Sequence, residues 1–324
     1  MNADQIRTLQ FELWQECNNK CDFCYLGKEN RWTDDKIKIQ SLNNALESIS
    51  DMTNYPKFNC IGFIGGEFFQ GQLSNPNVKR LFYQLIKKAA ELYNSKIIDQ
   101  VWISATLTIG NQSELYEILS FFNDYDGIWI ITSWDTIGRF KTDKMLRNWQ
   151  YHVNRLHIEF PNIKINITTI LTGDLIDKYL VGEISFGNMM KQYNATFFFK
   201  QCGSIVDWKG KGDYDEVMKA KVKSNQILPN FFPTKSKFRD FLIKFKTQET
   251  EDMWTRLFNI QFRANNLIRN YNDGHSDLNV RLKNTRSEVN EVNHMECGHP
   301  FVYSAYIDCN DCCLCDKLKL SSFE

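Results

Sequence analysis

The sequence predicts an α/β fold: a partial six-strand (β/α) barrel over residues 1–205, then a small helical and cysteine-rich C-terminal extension over residues 206–324. Three observations predict it. Short apolar runs alternate six times with longer segments of helical character, and strands that alternate with helices pair in parallel through helical crossovers. The residues of chemical interest follow the C-terminal ends of those runs, where α/β barrels carry their chemistry. Beyond residue 206 the alternation stops, and five of the ten cysteines lie at or after residue 297.

The elements follow in order. Leu9-Gln-Phe-Glu-Leu-Trp14 is the first apolar run, and Thr33-Asp-Asp opens a helix to residue 50. Short oxygen-bearing side chains suit that start because they accept from the unpaired N–H groups of a first turn. Phe58-Asn-Cys-Ile-Gly-Phe-Ile64 is the second run and ends in Gly65-Gly66-Glu67; Cys60 inside it reads as core. Asn75-Pro-Asn opens a helix to residue 93, with proline early in the helix, where its missing N–H is harmless. A third strand covers 98–108, a helix starts at Asn111, a fourth strand covers 126–134 and a helix covers 141–159. The fifth strand is 163–171, Asp174 and its neighbours open the next helix, and the sixth strand is 195–202. In the extension, 213–223, 235–246 and 249–270 read as helices, the last with Trp254, Leu257, Phe258, Phe262 and Leu267–Ile268 near helical spacing.

Composition excludes several classes. Apolar residues make up 43% of 324, which suffices for a sizeable core. Lysine plus arginine equals aspartate plus glutamate at 39 each, so there is no strong nucleic-acid signal. Met1-Asn-Ala-Asp-Gln-Ile-Arg lacks the apolar segment of a signal peptide, and no run approaches the roughly 18 apolar residues of a membrane helix. A cytoplasmic protein with no membrane partner is expected. There, ten cysteines point to metal or cluster binding before disulfides.

The first cysteines are the sharpest signal. Cys17-Asn-Asn-Lys-Cys21-Asp-Phe-Cys24-Tyr has C-x3-C-x2-C spacing directly after the first apolar run. Three thiolates from one loop can hold three corners of a 4Fe-4S cluster; a protein usually supplies a fourth cysteine, and none lies near. The fourth iron is then open to a non-protein ligand. The alternatives are a zinc knuckle, which needs a fourth ligand in tetrahedral array, or buried structural cysteines. The run, with Phe23 before Cys24 and Tyr25 after it, resembles the signature of the radical S-adenosylmethionine superfamily. That resemblance implies a 4Fe-4S cluster on Cys17, Cys21 and Cys24, with its open iron chelated by S-adenosyl-L-methionine. It also implies reductive cleavage of that cofactor to a 5′-deoxyadenosyl radical, and a six-strand partial barrel.

The cofactor residues are read partly from chemistry and partly from the resemblance. Adjacent glycines let a ligand approach the backbone, and a carboxylate beside them can accept from an ammonium group. Alone, Gly65-Gly66-Glu67 would be an ordinary turn. One strand and helix after the cysteines, it resembles the family's motif for the methionine amino group, contacted mainly by backbone, with Glu67 bracing the loop. Ser133-Trp134-Asp135 with Arg139 resembles the Ser-x-Asp and arginine of peptide-modifying members. The resemblance puts Ser133 and Asp135 near the ribose and Arg139 on the methionine carboxylate, a task suited to a planar guanidinium fork. Arg147 is a rival to Arg139. Tyr25, Thr106 or Thr108, Thr168 and Asn166 are further candidates to face cofactor or substrate.

In the extension, Cys309-Asn-Asp-Cys312-Cys313-Leu-Cys315 places Cys309, Cys312 and Cys315 in C-x2-C-x2-C spacing, with Cys297 as a fourth ligand and His299 nearby. This loosely resembles the twitch or SPASM auxiliary cluster extensions of peptide-modifying radical enzymes. A second 4Fe-4S cluster or a zinc site both fit such thiolates. Cys202, at the end of the sixth strand, could ligate that metal, return a hydrogen atom to a substrate radical, or be a buried inert thiol. The leading reading is a radical enzyme acting on a peptide or protein side chain by crosslinking, oxidation or epimerisation. It would be supplied by a one-electron donor such as flavodoxin or ferredoxin. The other readings are a radical enzyme acting on a nucleotide, nucleoside or small metabolite, and a non-catalytic iron–sulfur or zinc protein.

Overall fold

In the computed structural model, which describes residues 8–14, 16–22, 33–50, 59–201, 230, 233, 235–250 and 267–271, the strands line up in chain order. They are β1 (Thr8–Glu12), β2 (Cys60–Ile64), β3 (Gln100–Ser104), β4 (Ile128–Ser133), β5 (Lys164–Leu171) and β6 (Ala195–Gln201). Each pairs in parallel with the next. Parallel crossovers keep one hand, so an order that never reverses puts every crossover helix on one face of the sheet. A sheet wound that way curls into part of a barrel, with its strands' C-terminal ends gathered at one mouth. This is the expected α/β partial barrel.

The crossovers are α1 (Asp35–Ser50), α2 (Pro76–Asn94), α3 (Ser113–Leu119), α4 (Asp143–Glu159), α5 (Gly173–Leu180) and α6 (Phe186–Tyr193). Their starts follow the sequence signals. Asp34 Oδ1 accepts from Lys36 N at 2.8 Å, and Asn75 Oδ1 accepts from Asn77 N at 2.9 Å. Thr142 and Thr172 cap α4 and α5 in the same way. On α2 the buried positions Val78, Leu81, Phe82, Leu85, Ile86, Ala89, Ala90 and Tyr93 form the stripe that the apolar spacing predicts. Helix α6 has no separate counterpart in the sequence reading. It has eight residues and ends where Asn194 adopts a left-handed φ of 43°.

The two sheet faces differ. Val101, Ile103, Ile128, Ile130, Phe197 and Phe199 are fully buried, while their alternates Trp102, Ser104, Trp129, Ile131 and Ser133 are half-buried. Period-two alternation thus separates a sealed helix-facing side from a less enclosed inner side.

Two described pieces of the extension join this body. Helix α7 (Lys235–Gln248), expected over 235–246, buries Phe238, Phe241, Leu242 and Phe245. Phe241 packs on Tyr179 at 5.2 Å between ring centroids, and Phe245 on Phe199 at 5.4 Å. Lys244 Nζ donates to the Tyr179 and Leu180 carbonyls at the end of α5, at 3.0 and 2.7 Å. Burial of each such large apolar side chain contributes about 1.5–3 kcal/mol.

The second piece corrects the sequence reading. Residues 267–270, expected as the end of a helix, form with Tyr271 the strand β7 (Leu267–Tyr271), parallel to β1, with Leu267 opposite Thr8 and Tyr271 opposite Glu12. Among the described residues the sheet therefore has seven strands, in the order β6-β5-β4-β3-β2-β1-β7. A short apolar run does not distinguish strand from helix by spacing alone, and here an open sheet edge decides it. The expected helix at 213–223 lies outside the described residues.

His152 ties α4 to the loop after β3. It is fully buried, with Nδ1 2.7 Å from the Tyr116 hydroxyl and Nε2 3.0 Å from the Ile109 carbonyl. Burial lowers its pKa, against the pull of the carbonyl bonds. The fold therefore favours the neutral ring, and the stability gained from it is present above the unfolded-state value of about 6.5 and lost as pH falls below it. Thermal unfolding followed from pH 7.5 to 5.5 should show a steeper loss of Tm in the wild type than in H152Q. Equal slopes would mean that His152 is not held neutral.

Candidate functional site

The mouth is built where backbone pairing outlasts the strands. Past β1 and β2 the pairing continues: Leu13 N donates to Ile64 O at 3.2 Å, Gly66 N to Trp14 O at 2.9 Å and Glu67 N to Glu16 O at 2.8 Å. Trp14 Nε1 adds a bond to Glu67 O at 2.7 Å. The segment leading into Cys17 is thereby fixed to the Gly65-Gly66-Glu67 turn. Gly65 is needed for closeness: a Cβ there would lie 2.4 Å from Trp14 O. Lys38 of α1 holds the same segment from outside, with Nζ 2.6 Å from Glu16 Oε2 in a nearly buried pair.

Glu67 is an internal brace. It is 2% exposed. Oε1 accepts from Phe68 N at 2.9 Å and Phe69 N at 3.0 Å, and Oε2 accepts from Thr106 N at 2.7 Å. Burial raises its carboxyl above the ordinary range, and the donors from Thr106, Phe69 and Phe68 pull the other way. The carboxylate thus binds the β2 loop to the β3 loop.

The cysteine loop is held by a polar network that the sequence reading missed, apart from Thr106 and Thr108. Asn18 Nδ2 donates to Gln70 O at 2.9 Å, and Gln70 Nε2 lies 2.7 Å from Asn19 Oδ1, 3.0 Å from Thr106 Oγ1 and 2.9 Å from Thr108 Oγ1. Thr108 Oγ1 donates to the same Asn19 oxygen at 2.7 Å. Asn19 is buried, and its Nδ2 has no hydrogen-bond partner among the described residues. Gln70, three residues after Glu67, carries no motif that would have drawn attention to it.

The β4 loop reaches the cysteines from the other side. Arg139 Nε donates to Asp135 Oδ2, and Arg139 Nη1 lies 3.8 Å from Cys21 Sγ. Asp135 is buried, and its Oδ1 accepts from Ile170 N at 2.7 Å. Burial raises the Asp135 carboxyl, and the Arg139 charge and the Ile170 N–H pull it back. Asp22 N donates to Gly138 O at 3.0 Å, so the residues beside Cys21 and Arg139 are joined by backbone. Ser133 is half-buried at the end of β4, opposite Thr168 of β5 in register. The rival Arg147 is exposed on α4. Asn166 is buried, and its Oδ1 has no partner among the described residues.

Cys17, Cys21, Gly65, Gly66, Glu67, Thr106, Asp135 and Arg139 therefore lie past strand C-terminal ends at the mouth, with Ser133 at the end of β4 and Thr168 opposite it within β5. Cys21 is buried and Cys17 half-buried. Cys24 and Tyr25 lie outside the described residues, as do Cys202, Cys297, Cys309, Cys312 and Cys315.

No family model matches the chain, and no curated protein matches it. A solved structure of polyhistidine-tagged anSMEcpe with bound AdoMet is similar at a TM-score of 0.45 and 14% identity. The similarity covers 82% of this chain and 61% of that one, so this chain spans under two thirds of that structure's length. No helix among the described residues is long and apolar enough to cross a membrane.

The brace makes a testable statement. Glutamine at position 67 cannot accept at both ends, so E67Q turns an N–H donor against an amide NH2. It should lower stability by about 1–3 kcal/mol, the usual penalty for an unsatisfied buried donor. Urea unfolding measures this, and an unchanged midpoint would show that the three N–H groups are held otherwise.

Proposed function

We propose that this chain is a radical S-adenosylmethionine enzyme acting on a peptide or protein side chain, with residues 206–324 as its substrate and auxiliary metal domain. The supporting observation is convergence. Three motifs far apart in sequence meet at one barrel mouth, where the cysteine loop and the segment leading into it are bonded on one side to Gly65-Gly66-Glu67 and on the other to the Asp135–Arg139 loop.

The residues present suit the cofactors. The guanidinium N–H beside Cys21 Sγ is a donor suited to a ligating sulfur. Asn19 Nδ2, between Cys17 and Cys21 and without a partner among the described residues, is a donor that a cluster sulfur would satisfy. Cys17, Cys21 and Cys24 would hold the 4Fe-4S cluster. When bound, the cluster and S-adenosylmethionine supply a one-electron cleavage that yields a hydrogen-abstracting 5′-deoxyadenosyl radical.

The chain's own task is to bind, orient and shield. The Gly65 and Gly66 carbonyls would meet the methionine amino group, while the close approach of Trp14 at Gly65 and the brace of Glu67 fix that turn. Arg139 offers a guanidinium edge to the methionine carboxylate, with Asp135 setting its angle. Ser133, Thr168 and Thr106 line the mouth where the ribose and adenine would lie. The mouth must also exclude water from a reactive intermediate. A one-electron donor such as flavodoxin or ferredoxin is required, which fits a reducing cytoplasm. Cys309, Cys312 and Cys315 with Cys297 would hold a second cluster or zinc, and Cys202 would ligate that metal or return a hydrogen atom to a substrate radical.

The test is anaerobic reconstitution with iron and sulfide, strong reduction, and chromatography for 5′-deoxyadenosine. Wild type should release it, and C17A, C21A and C24A should each abolish it. No product from cluster-loaded, reduced wild type would favour a non-catalytic metal protein. Iron, sulfide and zinc are then counted against a variant with alanine at Cys309, Cys312 and Cys315. Loss of one cluster supports redox chemistry on a peptide, whereas loss of zinc alone makes the tail structural and moves a small-molecule substrate ahead.

A further inference from the structure

We propose that Arg139, oriented by Asp135, sets the reduction potential of the iron–sulfur cluster through its contact with Cys21. The proposal rests on the reading of Cys17, Cys21 and Cys24 as cluster ligands. It adds a function to Arg139 that operates before any S-adenosylmethionine is bound.

The geometry is anchored at every point. The Arg139 side chain is 13% exposed and that of Asp135 is 1% exposed. Asp135 is fixed to β5 through Ile170 N. It takes the Nε edge of the guanidinium, while Nη1 reaches Cys21 Sγ at 3.8 Å. The backbone bond from Asp22 N to Gly138 O sets the spacing of the two loops independently of the side chains. Arg139 therefore does not swing freely at the end of a long side chain.

The physical consequence follows from charge. Reducing a cluster places an extra electron on iron and sulfur, and hydrogen bonds to the sulfurs and nearby charge set the potential. A guanidinium donating to a ligating sulfur stabilises the more negative, reduced state. It therefore raises the potential and eases the first electron transfer. Asp135 carries the opposite charge, so its mere presence would lower the potential. Its value lies in aiming Arg139, which makes it a positioning residue.

The opposed signs give a discriminating experiment. Reconstituted full-length protein, free of S-adenosylmethionine, is titrated anaerobically, following the electron paramagnetic resonance signal that C21A lacks. R139Q should need a lower potential, with the reduced-to-oxidised ratio at a fixed potential down about tenfold, equivalent to about 59 mV for one electron. R139K, which keeps the charge and loses the fork, should shift less. D135N should also shift downward, although it removes a negative charge, because the guanidinium is released. K144Q, an exposed charge on α4, should titrate with wild type.

A D135N shift upward would overturn the positioning role, since charge alone would then account for it. If R139Q assembles no cluster, R139K and D135N decide the matter. A wild-type potential retained in the Arg139 and Asp135 variants sinks the proposal and leaves the cluster reading intact. A wild type that assembles no cluster sinks both.

Discussion

The close passage of the Trp14 carbonyl over Gly65 is the constraint on which the mouth depends. Strand pairing normally ends with the strands, and the loops beyond them diverge. Here β1 and β2 remain bonded as far as Glu16 and Glu67, because no side chain stands between them at position 65. The cysteine loop consequently leaves the sheet in a fixed direction, beside the turn that would receive the cofactor. Lys38 and Trp14 reinforce that direction from the helix side, the ammonium lying 5.7 Å from the indole ring centre as well as on Glu16.

Where backbone pairing stops, buried carboxylates take over. Glu67 reaches from the β2 loop to Thr106 N beyond β3, and Asp135 reaches from the β4 loop to Ile170 N in β5. Each spans one strand gap at the mouth. Burying a carboxylate is costly unless donors surround it, and both are met by backbone N–H groups that would otherwise lack partners there. Gln70 performs the same service for the cysteine loop with a neutral amide. The site is thus stitched by side chains whose atoms are largely spent on protein. Among the described residues, groups left to meet a ligand include the Asn19 amide nitrogen, the Asn166 amide oxygen and the outer edge of the anchored Arg139 guanidinium.

Much of this was legible. Alternation of apolar runs with capped helical segments implied the strand order, and the caps at Asp34 and Asn75 fall where short polar side chains precede helical stretches. Gly65-Gly66-Glu67 was visible as a turn at a strand end, and Glu67 as its brace. The contact of Arg139 with Cys21 was not, because a separation of 118 residues leaves no trace in spacing. Gln70 was invisible for a different reason: a glutamine in a turn is ordinary until its three acceptors are known. Strand β7 was misread because its apolar residues suit either helix or strand, and only the open edge of β1 chooses between them.

That last misreading bears on what the C-terminal third is for. A sheet wound in one direction leaves β1 and β6 at open ends, and an open strand edge invites pairing with another chain. Strand β7 takes up the β1 edge along its whole length. At the far end, α7 covers the aromatic surface of Tyr179, Phe186 and Phe199, and its Lys244 supplies donors to carbonyls ending α5. The β1 edge is therefore closed, and the helix layer beside β6 covered, by residues beyond the sixth strand. The described parts of the extension thus serve the fold without using a cysteine. Loss of a tail metal therefore need not unfold the barrel, because the described contacts of α7 and β7 use aromatic packing, a lysine and backbone pairing rather than thiolates.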